Sequence, residues 1–430
     1  MGSQRSMKAP QKKAVAAGLA LLAGAALLIG INASPSARIT DEAHPPAPLV
    51  AVAATAQPSR VDYQQLHSRI DALMQDPDMV GLAVGTIENG QVRFLRGYGE
   101  TVASSTAPVT PDTVFRWASL SKGVAAALVV GLAEDGKLSL DTPVRAFDTT
   151  LSLPGDARDV RVSDILSHRV GLVRNAWDDR LEAGEDPKVI RSQLRTLAPF
   201  CQPATCYTYQ NVAFDTVTEI VERVSGEDYA AFARHRIFAP LAMRNASLGR
   251  TALESAADWA RPHHKGKTPT VVDDNYYRVP AAGGVNGSIR DLVRWMEAQT
   301  GSAPAILSPA ALATMHQPVV STPPRRRQGA MDQAMTDAAY GLGWRTFTYA
   351  GRTLVGHRGS VDGYGALILF DPVDRSGIAM LWNSNNRLPA RLQLEFFDML
   401  YGLPFTDWLA LEPQRAAIAD ATTSAATEDG

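Results

Sequence analysis

The segment FRWASLSKGVAAALVVGLAEDG, Phe115 to Gly136, sets two serines and a lysine just ahead of ten consecutive residues, Val124 to Ala133, that carry no polar side chain. A run that is apolar on every face predicts a helix buried on all sides, with Gly136 as its C-terminal cap. Ser119 and Lys122 then fall in its first turn. Residues three apart share a helix face, so the Ser119 hydroxyl and the Lys122 amine can meet, while Leu120 and Ser121 point elsewhere. A serine hydroxyl is a weak nucleophile until a neighbouring base takes its proton, and a lysine desolvated by apolar walls can be that base. The N–H groups at the helix start suit a developing oxyanion. Taken alone, S-x-x-K is better read as a capping serine and a snorkelling lysine, and only the rest of the chain can reverse that assignment.

The 430 residues are 45% hydrophobic and 20% charged, an ordinary globular balance for one large domain or two. A formal charge of -2 gives no electrostatic case for a nucleic-acid partner, and PPRRRQ, Pro323 to Gln328, reads as a solvated loop. Near the N-terminus, Arg5, Lys8, Lys12 and Lys13 precede the apolar stretch Ala14 to Ile31, and the next charge is Arg38. This pattern predicts export, by a membrane anchor or a signal segment, to a periplasmic, inner-membrane-anchored or secreted location. The clearest A-x-A-like cleavage site, Ala54-Thr55-Ala56, lies far downstream, which favours an uncleaved anchor. Cys201 and Cys206 are the only cysteines. In an exported chain their spacing suggests a disulfide, with two free thiols as the alternative; zinc would need ligands that are not nearby.

Residues 1–59 comprise this anchor or signal segment and a Pro/Ala/Ser-rich linker. From there Asp62 to Asp76 has helical spacing, and Val80 to Gly99 gives two strands around Asn89-Gly90, a hairpin signal. Helical and loop-rich sequence dominates residues 116–334. Strands return in RTLVGHRG, GYGALILFD and SGIAMLWNS, followed by an amphipathic helix in LPARLQLEFFDMLYG. The expected fold is therefore α+β: an antiparallel sheet built from both ends of the domain, residues 60–405, flanked by helices and carrying an inserted helical lobe. The tail, residues 406–430, is expected to be disordered.

Two further segments accompany S-x-x-K: YQN, Tyr209 to Asn211, and HRGS, His357 to Ser360, at the end of a predicted strand. In order and placement the three resemble the motifs of the penicillin-recognising serine hydrolases, which include class C beta-lactamases, DD-peptidases, D-aminopeptidases and related esterases. DILSHRVGL (Asp164 to Leu172), PAAGGVNGSIRDLVRW (Pro280 to Trp295) and YGLGW (Tyr340 to Trp344) extend the likeness across residues 62 to 404. The resemblance implies that Ser119 attacks a carbonyl and forms an acyl-enzyme while Lys122 takes its proton. It further implies that Tyr209, its acidity raised by neighbouring cations, returns a proton to the leaving group, and that Asn211 holds Lys122 and the substrate amide. The N–H groups of Ser119 and Ser360 would form an oxyanion hole, with Gly359 permitting close approach. No metal or cofactor is expected. His168 reads as a buried structural histidine bonded to backbone, Ser288 with Asp291 as a capping box, and His263-His264 as surface.

The third motif departs from the K-T-G of many beta-lactamases. His357 replaces a permanent cation, and the expectation is a neutral imidazole that orients the Tyr209 hydroxyl. Arg358 stands where a threonine hydroxyl commonly binds a substrate carboxylate, and strand alternation turns it away from His357. The reading is an exported serine hydrolase acting on amide or ester bonds of a small-molecule or peptidoglycan-derived substrate: a beta-lactam, a D-amino-acid peptide or a small ester. The alternatives are a carboxylesterase without beta-lactam activity and an inert penicillin-binding-like scaffold; an alpha/beta-hydrolase is disfavoured by the absence of G-x-S-x-G.

Overall fold

The computed structural model describes residues 58–155, 159–323 and 329–411. The expected anchor or signal segment, nearly all of the linker, most of PPRRRQ and residues 412–430 of the tail lie outside them.

Helix α1 (Tyr63–Leu73) starts where the Asp62 carboxylate accepts from the N–H groups of Gln64 and Gln65, and it buries Leu66, Ile70 and Leu73 along one stripe. Strands β1 (Gly81–Glu88) and β2 (Gln91–Gly99) are joined by Asn89 and Gly90, with φ of 50° and 73°, the left-handed pair that a tight hairpin turn requires. After β3 (Val114–Arg116) and helix α2 (Ser121–Glu134) come the short strands β4 (Ser247–Leu248), β5 (His263–His264), β6 (Thr268–Pro269) and β7 (Val285–Ser288). The chain then returns as β8 (Val320–Ser321), β9 (Thr336–Tyr340), β10 (Arg345–Tyr349), β11 (Arg352–Val361), β12 (Tyr364–Asp371) and β13 (Ser376–Trp382).

These form an antiparallel eight-stranded sheet in the order β2-β1-β13-β12-β11-β10-β9-β8, in which β1 pairs with β13 (Leu82 opposite Trp382, Val84 opposite Met380). Both ends of the domain thus share one sheet, as the sequence pattern predicts. The two-residue period sorts its side chains into two cores. Leu82, Val84, Leu367 and Met380 pack with α1 and the helix Leu392–Tyr401, whereas Ala83, Ala366, Ile368 and Leu381 face the helical lobe. β1, β12 and β13 are buried throughout because both faces are covered.

Helix α2 is buried from Ser121 to Leu132, as a stretch apolar on every face demands, and Gly136 follows its C-cap in the left-handed conformation at φ 69°. Two expectations are corrected. The chain packs beyond 405, as far as Leu411, because Asp407 pairs with Arg69, the Trp408 indole donates to Asp398, and Leu409 and Leu411 are buried. His263 is buried rather than on the surface: its Nε2 accepts from the Ala103 N–H at 3.1 Å and its Nδ1 lies 3.0 Å from the Asn383 carbonyl, so it ties β5 to the end of β13. His264 is exposed and meets Asp362. Ser288 and Asp291 form the expected capping box.

Candidate active site

Ser119 sits in a single 3-10 turn, Ala118–Leu120, that runs directly into α2. It therefore precedes the α-helix rather than lying within it, but the two turns are continuous and the three-residue offset still places Lys122 Nζ 3.3 Å from Ser119 Oγ. Ala118 is held at φ 48°, a left-handed conformation uncommon for alanine. Local bonds hold it there. The Trp117 N–H donates to Val285 O at 2.9 Å, and the buried Ser121 hydroxyl donates to Ala118 O at 2.7 Å while accepting from the Val285 N–H at 3.0 Å. Ser121 is thus a fastening between the turn and β7.

Strand β11 runs against this turn. A Cβ on Gly359 would lie 2.4 Å from Trp117 O and 3.1 Å from Ser119 N, so no other residue leaves the two backbones this close. The approach brings Gly359 and Ser360 alongside the N–H of Ser119, which as a first-turn group has no carbonyl partner inside its own helix. Such paired N–H groups can receive negative charge developing on a carbonyl oxygen.

Tyr209 and Asn211 arrive on a loop stitched to the 168–171 segment. The Cys201–Cys206 disulfide closes its first part, and the N–H groups of Phe200, Ala204 and Thr208 donate to the carbonyls of Gly171, Arg169 and His168. The Tyr209 hydroxyl donates to Ser119 Oγ at 2.7 Å. Lys122 Nζ lies 2.8 Å from Asn211 Oδ1, 2.9 Å from Ala282 O and 4.7 Å from the centre of the Tyr209 ring.

The proton inventory of Lys122 follows from these partners. Asn211 Nδ2 donates to the Asp178 carboxylate at 2.6 Å, an acceptor, which fixes the amide with Oδ1 toward the lysine. Asn211 Oδ1 and Ala282 O can only accept, so they take two N–H bonds. A neutral amine has two protons and one lone pair, and the lone pair is left facing Ser119. Burial pushes the Lys122 pKa down to about 7, the nearby Arg345 charge acting in the same direction while Asp178 and Asp215 partly oppose it. The amine is accordingly neutral over much of the range above pH 7.

The phenol behaves differently from expectation. Burial pushes the Tyr209 pKa up to about 12, outweighing the bond to Ser119 and the charges of Arg345 and Arg174 that act to lower it. Tyr209 is therefore a proton donor near neutral pH. His357 also departs from the expected arrangement. It is neutral, held well below the usual imidazole range by burial and by the Arg345 and Lys122 charges, but its Nε2 lies 3.0 Å from the Tyr340 hydroxyl. Its ring centre is 6.4 Å from that of Tyr209. The imidazole is turned toward Tyr340 because its Nδ1 is tied to the Arg358 carbonyl at 2.8 Å.

The structure thus brings Ser119, Lys122, Tyr209 and Asn211 into one hydrogen-bonded group, with Gly359 and Ser360 alongside and His357 one residue removed. Sequence reasoning missed Asp178, the anchor of Asn211. It also missed Arg345, which lines the cleft above the nucleophile and donates to the Tyr207 hydroxyl at 2.9 Å. That cleft has a volume of about 2060 Å³ and a lining that includes Ser119, Tyr209, Arg345 and His357. Among the described residues, no group of three or more His, Cys, Asp or Glu side chains is placed to hold a metal ion.

Comparison with known proteins bears on the family and the fold. An unguisins hydrolase of Aspergillus campestris is 29% identical over 323 residues, 71% of this chain and 58% of that protein. Protein flp of Staphylococcus aureus is 22% identical over 335 residues, 76% of this chain and 64% of that one, so the chain spans about three-fifths of the length of these curated relatives. Among solved structures, an octameric penicillin-binding protein homologue from Pyrococcus abyssi superposes with a TM-score of 0.69 at 25% identity, covering 80% of this chain and 78% of that one. D-alanine carboxypeptidase AmpC from Burkholderia cenocepacia shares the fold at a TM-score of 0.63 and 22% identity, covering 79% of this chain and 99% of that one. Residues 66–402 match the model of the Beta-lactamase family, and the chain is a member of that family.

Proposed function

We propose that the chain hydrolyses amide bonds of peptide substrates through an acyl-enzyme on Ser119. The observation that carries this reading is the placement of Ser119 Oγ between a phenol that donates to it at 2.7 Å and, at 3.3 Å, the Lys122 amine, whose lone pair faces it in the neutral form. Lys122 takes the Ser119 proton as the hydroxyl oxygen attacks the carbonyl, and the N–H groups of Ser119 and Ser360 receive the oxyanion. Tyr209 delivers a proton to the departing nitrogen and is reprotonated from Lys122. Water then repeats the sequence on the acyl-enzyme and frees the acid.

Peptide amides are favoured over beta-lactams because the open cleft, at about 2060 Å³, has room for more than the ~300–1,000 Å³ that encloses a typical small ligand. One structure that shares the fold is named as a D-stereospecific amidohydrolase, in keeping with amide cleavage. Arg345 is the cation placed to receive a substrate carboxylate. Full-length protein assayed with D-Ala-p-nitroanilide, nitrocefin and p-nitrophenyl butyrate should give its highest kcat/KM on the anilide. A ranking led by the butyrate would identify a carboxylesterase; flat traces with all three, from folded protein, would favour a scaffold.

We further propose that the protein is exported and held at the membrane by residues 14–31, a reading supported by the basic residues before that stretch and by the Cys201–Cys206 disulfide. Sequencing of the mature N-terminus from the membrane fraction should find the chain uncleaved. A start near Arg38 or Gln57 would replace the anchor with a signal peptide.

A further inference from the structure

Behind the reacting groups lies a buried chain of three side chains, His168, Tyr340 and His357, whose proton positions are fixed from both ends. His168 Nδ1 is 3.2 Å from the N–H of Gln210, which can only donate, so Nδ1 carries no proton and the neutral ring is protonated on Nε2. At the other end, His357 Nδ1 faces the Arg358 carbonyl at 2.8 Å, which can only accept, so here Nδ1 holds the proton and Nε2 is a lone pair. The Tyr340 hydroxyl lies 3.2 Å from His168 Nε2 and 3.0 Å from His357 Nε2. A single arrangement satisfies all four contacts: His168 Nε2–H donates to Tyr340 Oη, and the Tyr340 O–H donates to His357 Nε2.

Resting on the acyl-enzyme reading above, we propose that Tyr340 is a positioning residue: its hydroxyl bridges the two imidazoles, whose tautomers their backbone partners set, and occupies the His357 lone pair that would otherwise compete with Ser119 for the Tyr209 proton. His168 packs against Tyr209 with ring centroids 4.4 Å apart and the planes tilted by 40°, and the His357 ring centre stands 6.4 Å from that of Tyr209. His168 is itself held at φ 58°, a strained conformation for a non-glycine residue, by the Thr208 N–H donating to its carbonyl, and it is boxed in by Phe214 and Tyr207.

The chain resists protonation at either end. A proton added to His168 Nδ1 would set it against the Gln210 N–H. One added to His357 Nε2 would leave Tyr340 Oη facing two donors, with no acceptor for its own proton. The groups around the chain add to this. Lys122 from α2, Arg345 from β10 and Arg358 beside His357 oppose further positive charge when they are cationic, and Tyr207 and Tyr209 complete the surroundings as neutral phenols.

The test is nitrogen-15 NMR of the full-length protein labelled at histidine, with signals assigned by their loss in His168→Gln and His357→Gln. The expected spectrum shows His168 as the Nε2–H form and His357 as the Nδ1–H form, both unchanged from about pH 5 to 8, the window in which a free imidazole titrates. A His357 protonated on Nε2, or either ring titrating near ~6.5, would overturn the proposal. Tyr340→Phe removes only the hydroxyl. It should lower kcat about tenfold with KM within about twofold, and add a second ionisation to the acid limb of kcat/KM as His357 is released. An unchanged kcat and pH profile would equally overturn it. The wild-type spectrum needs neither substrate nor the variant's folding, so failure of the peptide-amide reading leaves the tautomer assignment separately decidable.

Discussion

Tyr209→Phe is expected to reduce kcat by about 10²–10⁴-fold, the range for loss of a positioned proton donor, with a smaller change in KM. The hydroxyl it removes is the donor to Ser119 Oγ at 2.7 Å, and that phenol stays protonated through the neutral range because burial lifts its pKa to about 12. Without it Lys122 can still accept the serine proton, but nothing carries a proton on to the leaving nitrogen. Amide substrates should therefore suffer more than activated esters, whose leaving groups depart without one. Rapid-quench measurement of acylation on an anilide and on a p-nitrophenyl ester separates the two. Equal loss on both would mean that Tyr209 orients the nucleophile and does not protonate the leaving group. Retention of near wild-type kcat/KM on the anilide would remove Tyr209 from the proton path.

The features legible in the sequence are those set by short spacing or strict period. Ser119 and Lys122 meet because three residues are most of a helical turn, and the burial of α2 follows from ten residues without a polar side chain. The sharing of one sheet by β1, β2 and β11–β13 was readable from alternation and from Asn89-Gly90. β8 to β10 were less so: they are two to five residues long, broken by the turn between Tyr340 and Arg345, and too short to show a period.

What the sequence hid depends on partners distant along the chain. Asp178 is one of two adjacent aspartates, and only the fold sets its carboxylate against Asn211. Tyr340 belongs to a recognisable segment, YGLGW, yet nothing in that segment says that its hydroxyl spans two histidines. The acidity of Tyr209 is not legible in the sequence because cations and burial act in opposite directions, and the depth of burial that decides the sign is a property of the assembled pocket. The same applies to His263, where a pair of histidines on a short strand reads as surface until the Asn383 carbonyl and the Ala103 N–H are in place.

Lys122→Met should lower kcat by about 10²–10⁴-fold by removing the base that activates Ser119, and the wild-type pH dependence should identify that base. With the folded pKa at about 7, kcat/KM should rise with pH to half its plateau near pH 7. The same shift bears on stability. Lys122 falls from an ordinary 10.5 to about 7, so between those values the unfolded chain binds a proton that the folded chain does not. Stability contributed through this group must rise with pH across that window, by about 1.4 kcal/mol per unit and roughly 5 kcal/mol in all, and the full penalty applies below it, where both states are charged. Urea unfolding of the wild type and of Lys122→Met at a series of pH values isolates this contribution between about pH 7 and 10.5, because the histidines that the Lys122 charge perturbs, His168 and His357, are held well below the usual imidazole range and titrate outside that window. The wild type should gain on the variant as the pH is raised from about 7 toward 10.5. A stability difference that stays flat with pH, beside an acid limb still near 7, would mean that the ionisation seen in the kinetics belongs to another group and that Lys122 enters the fold charged.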